Sequence, residues 1–322
     1  MQDQGTEPPT EAARPRFTSG RECWVCSVSC REDLPGYHAG LITDALLPDE
    51  PVHHLLYSPR VDGGRGPFGL TGLQGSHALA ATPTRFVISR DPHREGERRT
   101  VLSVPFNRIL SVELGHALVL GWLRIRIFAA GGALCETILF ASSGIHHFQA
   151  AIRAFRSGRA QPVPASCDDP AWRECRDATP PWLSAEWPGL ILEGEAPAAF
   201  LRSSERFEAK AASRGSGLVC VSPWSAAVVT ERTLFLVESQ RPLRPSDLVF
   251  GVNATCVDRS AIHACRIEPD SAGGGVVRGR LVAGAPSDDQ VLPLEIPFDP
   301  EWIDQARGIV NSLGARGPVA SP

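Results

Sequence analysis

The chain is nearly devoid of lysine: its 322 residues carry 32 basic side chains, of which Lys210 is the single lysine. That residue stands in Glu208-Ala-Lys-Ala-Ala212, without the glycines that cradle a phosphate, so a Walker A loop is excluded. The sequence also has no Gly-x-Ser-x-Gly elbow and no His-Glu-x-x-His zinc helix. These absences predict a protein that is not an enzyme and that needs no cofactor.

Long hydrophobic runs are also missing. The most apolar stretch, 117–135, is interrupted by Arg124 and Arg126, whereas a membrane helix needs about 20 consecutive apolar residues. The polar start of the chain lacks the apolar core of a secretory signal. We therefore expect a soluble, cytoplasmic protein whose nine cysteines are free thiols.

Strong net charge is the third absence. The formal charge is -4 and the hydrophobic fraction is 43%, so neither nucleic-acid binding nor disorder of the whole chain is expected. At roughly 150 residues per domain, the length predicts two domains.

A weak internal duplication supports this division. The segments 78–89 and 226–239 each read as two apolar strands around a threonine and an arginine. Each is followed by further strands, a hairpin, and an amphipathic helix, which we expect from Gly144 to Arg156 and from Glu301 to Leu313. Ser142 or Ser143 is the expected N-cap of the first helix, and Asp299 that of the second.

These residues resemble bacterial pleckstrin-homology-like (PH-like) domains. The matching segments are Leu192-Glu-Gly-Glu195, Thr230-Glu-Arg232, Thr82-Pro-Thr-Arg85 and Val104-Pro-Phe-Asn-Arg-Ile109, whereas Pro83 and the long segment 60–76 depart from the pattern. The resemblance implies a mainly β fold with α (α+β) in two tandem units. Each unit would be a bent, seven-stranded antiparallel sheet or barrel capped by its C-terminal helix, without catalytic residues and often self-associating.

The resulting domain prediction has six parts. It comprises a disordered tail (1–20), a cysteine-bearing segment (21–45), PH-like domain 1 (46–156), a linker rich in Pro and Trp (157–189), PH-like domain 2 (190–313) and a second disordered tail (314–322). The prolines of the linker favour an extended connector, and its tryptophans favour packing against a domain.

Charge is divided between the two predicted domains. Domain 1 has 12 arginines against 8 acidic residues, and domain 2 has 12 basic against 16 acidic residues. Six arginines of domain 1 are the candidates for binding an anionic ligand or lipid headgroup: Arg90, Arg94, Arg98, Arg99, Arg124 and Arg126. Interleaved acids at 91, 95 and 97 weaken that field, so a solvated loop is the competing interpretation.

One group of residues near the start of the chain has the side chains that bind zinc. Cys23, Cys26, Cys30 and His38 supply the four ligands of a Cys₃His zinc site, but the usual two spaced cysteine pairs are absent. We therefore favour ordinary thiols and predict no metal. Seven of the nine histidines fall in domain 1, including two adjacent pairs whose members we expect to point apart.

The sequence thus predicts a non-catalytic scaffold that binds protein partners or associates with itself. Peripheral binding to anionic lipid through the arginine loop of domain 1 is the alternative, and an enzyme with an unrecognised site is a second one.

Overall fold

The computed structural model describes residues 24–61, 74–91, 98–129, 132–158, 164, 170–212, 215–241, 251–269, 274–282 and 292–314. Both predicted terminal tails therefore lie wholly or almost wholly outside the described residues. Within them the chain is mainly β with a few helices, and all strand pairs are antiparallel. This confirms the predicted α+β class.

Four sheets account for the described strands. Those of the first predicted domain and the preceding segment are β1 (Cys26–Ser27), β2 (His54–Ser58), β3 (His77–Ala81), β4 (Arg85–Arg90), β5 (Thr100–Pro105), β6 (Ile109–Ala117), β7 (Leu120–Ala129) and β8 (Gly132–Ala141). Those of the second are β9 (Ala199–Ser203), β10 (Arg206–Ala212), β11 (Gly215–Ser222), β12 (Ser225–Val229), β13 (Thr233–Ser239), β14 (Gly251–Asp258), β15 (Ile262–Pro269), β16 (Gly275–Leu281) and β17 (Leu292–Phe298).

One sheet crosses the boundary between the two predicted domains. Its order is β8-β7-β6-β14-β13-β12-β9, so three strands come from the first domain and four from the second. The remaining sheets have the orders β1-β2-β3-β4-β5, β15-β16-β17 and β10-β11. The prediction of a separate seven-stranded sheet in each domain is therefore wrong in its sheet boundaries, because β14 pairs with β6 from Gly251↔Ala117 to Cys256↔Val112.

Five α-helices accompany these sheets in the described residues: α1 (His38–Ala45), α2 (Ile145–Ser157), α3 (Pro170–Asp177), α4 (Pro181–Ser184) and α5 (Ile303–Gly314). The expected helices at the two domain ends are α2 and α5. None of these helices is long and apolar enough to cross a bilayer.

Asp299 stands at the predicted N-cap position with Pro300 after it, whereas Gly144 takes the N-cap predicted for Ser142 or Ser143, and no side-chain cap bond forms at either helix. Ser142 opens a short 3₁₀ helix instead, and its hydroxyl donates to the carbonyl of Leu118. A 3₁₀ helix also begins at Pro300, and Asp299 uses its carboxylate to accept the backbone N–H of Ser204. In both places a residue distant in sequence captures the side chain that local sequence assigns to the helix.

The linker is partly helical rather than extended. It contributes α3 and α4, and Trp172 and Trp187 are 4% and 2% exposed. Both belong to a core cluster that also holds Phe148 of α2 and Phe235 of β13, so the linker fills the space between the two predicted domains. Trp182 remains 45% exposed.

Candidate functional site

The junction between the predicted domains centres on a buried arginine. Arg156, near the end of α2, has a side chain that is 5% exposed. It donates to the carbonyl of Leu190, to Glu195 Oε1 at 2.5 Å and to Thr233 Oγ1 at 3.0 Å. Its guanidinium also lies 4.5 Å from the centre of the Phe235 ring. One side chain of the first domain thus contacts the segment that begins the second domain and strand β13 of that domain.

The corresponding contact in the first domain is made locally. Glu50 and Glu195 both accept the backbone N–H of the leucine three residues earlier, at 3.0 and 2.8 Å. Glu50 then receives two hydrogen bonds from Arg85, which lower the pKa of its carboxyl to about 2. The two Leu-x-x-Glu turns are alike in geometry, and only the second one takes its arginine from the other domain.

An apolar turn projects from the end of the shared sheet. Leu118 and Val119 form the two-residue connection between β6 and β7, and they are 61% and 82% exposed. Leu118 has φ 52°, in the left-handed region where a bulky side chain is strained. Two-residue turns between antiparallel strands favour Asn-Gly. The pair Leu-Val therefore neither suits the backbone of the turn nor packs in the core. We call these two residues the apolar tip.

An exposed tryptophan, Trp24, is next in sequence to a residue that packs close to the tip's supporting segment. The turn of the tip is held by Ser142, whose backbone N–H donates to the Val119 carbonyl. Two residues further on, Gly144 lies against the side chain of Val25 so closely that a Cβ there would be 2.5 Å from it. Trp24, which precedes Val25, is 61% exposed.

The predicted arginine site is only partly assembled. Arg94 lies outside the described residues. Arg90 ends β4 and Arg98 precedes β5, whereas Arg99 is bound to Asp91 and stacks on the ring of Tyr37.

The two arginines of β7 share a strand face, as expected from their spacing. Arg124 and Arg126 are both held by Glu113, at 2.9 and 3.7 Å. Three of the six candidate arginines are thus paired with carboxylates, which reduces the positive electrostatic potential available to a lipid headgroup. Lipid binding stays a prediction.

The four residues considered as a zinc site are held by other contacts or lie outside the described residues. His38 is 3% exposed, and its two ring nitrogens hydrogen-bond to Ser89 and Ser76 at 2.8 and 3.0 Å. The thiol of Cys30 donates to Asp33, Cys26 lies in β1, and Cys23 falls outside the described residues. In the part of the chain that the structure describes, no three His, Cys, Asp or Glu side chains are placed to hold a metal. The seven described cysteines are free thiols.

A serine joins two histidines that the sequence does not connect. Ser27 Oγ lies 3.2 Å from His54 Nε2 and 2.9 Å from His147 Nδ1. Burial lowers the pKa of His54 to about 4 and also lowers that of His147, so both imidazoles are neutral near pH 7. We interpret the contact as a tether of β1 to β2 and α2.

One expectation about adjacent histidines is wrong. The rings of His146 and His147 lie 4.0 Å apart instead of pointing away from each other. Both stand in the first turn of α2, where two long side chains can lean together although their Cβ atoms diverge.

Neither the buried arginine nor the apolar tip was predicted from the sequence. A signal for the tip was present, because two alternating strands are joined by Leu-Val where Gly or Asn is typical. Arg156 left no signal, because its partner Glu195 is 39 residues away and belongs to another predicted domain. A comparison of the chain with protein-family models and with curated proteins found no match.

Proposed function

We propose that this chain is a non-catalytic scaffold of two PH-like units, and that its apolar tip binds proteins. The PH-like interpretation is supported by the strand order on either side of the junction. β2 to β5 and β6 to β8 precede α2, while β9, β12, β13, β14 and then β15 to β17 precede α5. Each unit is thus a group of four strands, a group of three and a closing helix, with β10 and β11 inserted in the second.

The observation that carries the binding function is the apolar tip itself. A leucine held at positive φ costs about 1 kcal/mol, and its exposed side chain returns nothing to folding. Such a residue pair is explained by a contact outside the molecule. The shared sheet supports this function, because a rigid connection to β14 holds the turn in a fixed orientation.

A photo-crosslinking experiment tests the proposal. A benzoylphenylalanine residue replaces Val119, and in a matched control it replaces Leu47, which is 63% exposed at another turn. Ultraviolet light is applied in cells that express the full chain, and adducts are identified by mass spectrometry. We expect a specific protein adduct at position 119 that is absent at position 47.

The mass of the adduct identifies the partner. A product of twice the chain mass indicates self-association, which native mass spectrometry of the purified protein then confirms, with the double variant Leu118→Asn, Val119→Gly as the monomeric control. A defined heterologous adduct indicates a protein partner. Absence of any adduct at position 119, together with a monomer in native mass spectrometry, contradicts the proposal.

A further inference from the structure

A second feature of the junction is a cavity of about 530 Å³ that Arg156 helps to line. Its walls come from both units. The first unit contributes Phe106, Asn107, Ile109, Leu110, Ser111 and Phe155, and the second contributes Arg232, Asp258, Ala261 and Val282. At about 30 Å³ per water molecule, this volume exceeds what a few ordered waters occupy and is typical of small-molecule sites.

The cavity has one apolar wall. Phe106 and Phe155 are in edge contact, with their ring centres 4.4 Å apart, and Ile109 and Val282 line the space beside them. Aromatic and aliphatic surface of this kind binds the apolar body of a ligand.

The polar groups of the cavity have an excess of donors. The Arg232 side chain makes no hydrogen bond or ion pair with any residue that the structure describes. Ser111 is 2% exposed and its hydroxyl is buried without a partner in the same set of residues, as is Nε of Arg156. Unpartnered buried donors cost about 1–3 kcal/mol each. These two atoms have almost no accessible surface, so the donor that a ligand in the cavity can reach is the Arg232 guanidinium.

The carboxylate that lines the cavity is already engaged. Asp258 Oδ1 accepts both the backbone N–H and the hydroxyl of Ser260, at 2.6 and 2.5 Å, within the 3₁₀ turn Arg259–Ala261. Arg156 is neutralised by Glu195. Arg232 is therefore the cation that remains available to a ligand.

We propose that this cavity binds a small amphipathic anion. Its charged head group, a carboxylate or a phosphate, pairs with Arg232. Its apolar body lies against Phe106 and Phe155. This inference does not depend on the scaffold function, since the apolar tip is formed by other residues.

Calorimetry and thermal-shift measurements on the full chain test the site with three probes: decanoate, decyl phosphate and inorganic phosphate. We expect binding of decanoate, decyl phosphate or both, and weaker binding of inorganic phosphate, which lacks the apolar body. The two amphipathic probes distinguish a carboxylate from a phosphate head group.

Three variants locate the binding. Arg232→Gln removes an exposed cation and is expected to weaken the affinity at least about tenfold. Arg307→Gln, on the exposed face of α5, changes the net charge equally and leaves the affinity unchanged. Ser111→Ala removes a buried hydroxyl without a partner among the described residues, so it raises the melting temperature of the empty protein and leaves the affinity unchanged.

Three results overturn the proposal. They are the absence of heat and thermal shift with all three probes, inorganic phosphate binding as tightly as the amphipathic anions, and equal affinities of Arg232→Gln and Arg307→Gln.

Discussion

Two glutamates hold the same kind of turn, yet their arginines come from different places in the chain. Arg85 lies in the same unit as Glu50, and its side chain is 17% exposed. Arg156 reaches Glu195 from the other unit and is 5% exposed. Because a buried charge that loses its partner remains desolvated, the second pair is the more sensitive to substitution.

Substitution of Arg156 by methionine is expected to lower the free energy of unfolding by about 3–5 kcal/mol. Urea denaturation measures this change. The double variant Arg156→Met, Glu195→Gln should recover part of the loss, because no carboxylate is then left buried alone. Arg85→Met serves as the matched control with a smaller loss. A change below about 1 kcal/mol in Arg156→Met would contradict the role given to this residue.

Two buried histidines, His38 and His77, and the half-buried His54 predict acid sensitivity. Burial is the main cause that lowers the pKa of His38, His54 and His77 to about 4. Between pH 6.5 and about 4 the unfolded chain therefore binds more protons than the folded one, so stability is complete above pH 6.5 and falls as the pH drops towards 4. Each unit of pKa difference corresponds to about 1.4 kcal/mol.

Urea denaturation at several values between pH 7.5 and 4.5 checks this dependence. We expect His77→Leu to flatten it, because this residue is 1% exposed and its Nε2 has no hydrogen-bond partner among the described residues. His263→Leu, at an exposed position of β15, should leave the slope unchanged. If the unfolding free energy depended on pH equally in both variants, the acid sensitivity would belong to other groups.

Among the elements, the β6–β7 turn combines strain with exposure. The variant Leu118→Asn, Val119→Gly places at 118 a residue that tolerates the positive φ and removes both apolar side chains. We expect it to raise the unfolding free energy by about 1 kcal/mol, visible as a higher melting temperature, while removing the apolar tip. A lower melting temperature would mean that Leu118 and Val119 stabilise the fold, and the tip would lose its interpretation as a binding surface.

Some elements follow from the local sequence pattern and others do not. The alternation in Trp122 to Phe128 predicted β7, and the apolar stripe of Phe148, Ile152 and Phe155 predicted α2, because side-chain period follows directly from backbone geometry. Ser142 does not cap α2, and Asp299 takes its predicted N-cap position without a side-chain cap bond, because hydrogen-bond partners distant in sequence compete for the same oxygen atoms. The helices of the linker were not predicted, since its prolines stand at helix starts, where they are tolerated.

For the whole molecule, the sheet order makes the two units one cooperative structure. The largest core cluster contains residues of β6, β14, α2 and the linker helices. Separating the units would expose the edges of two long central strands together with Trp172 and Trp187.

Scanning calorimetry of the full chain is therefore expected to show a single unfolding transition, with equal calorimetric and van't Hoff enthalpies. Arg156→Met should lower the temperature of that transition as a whole. Two resolved transitions in the wild-type protein would instead describe units that fold independently, and they would contradict the stabilising role of the β6–β14 pairing.

The sequence by itself determined the elements that depend on neighbours along the chain: the strands, the two closing helices and the repeated Leu-x-x-Glu turns. Tertiary structure decided which strand edges meet, where Arg156 finds its carboxylate, and which donors remain without a partner beside the cavity. The physical reason is the range of the interactions. Side-chain periodicity and turn geometry act over a few residues, whereas strand pairing, burial and charge neutralisation join residues that only the folded chain brings together.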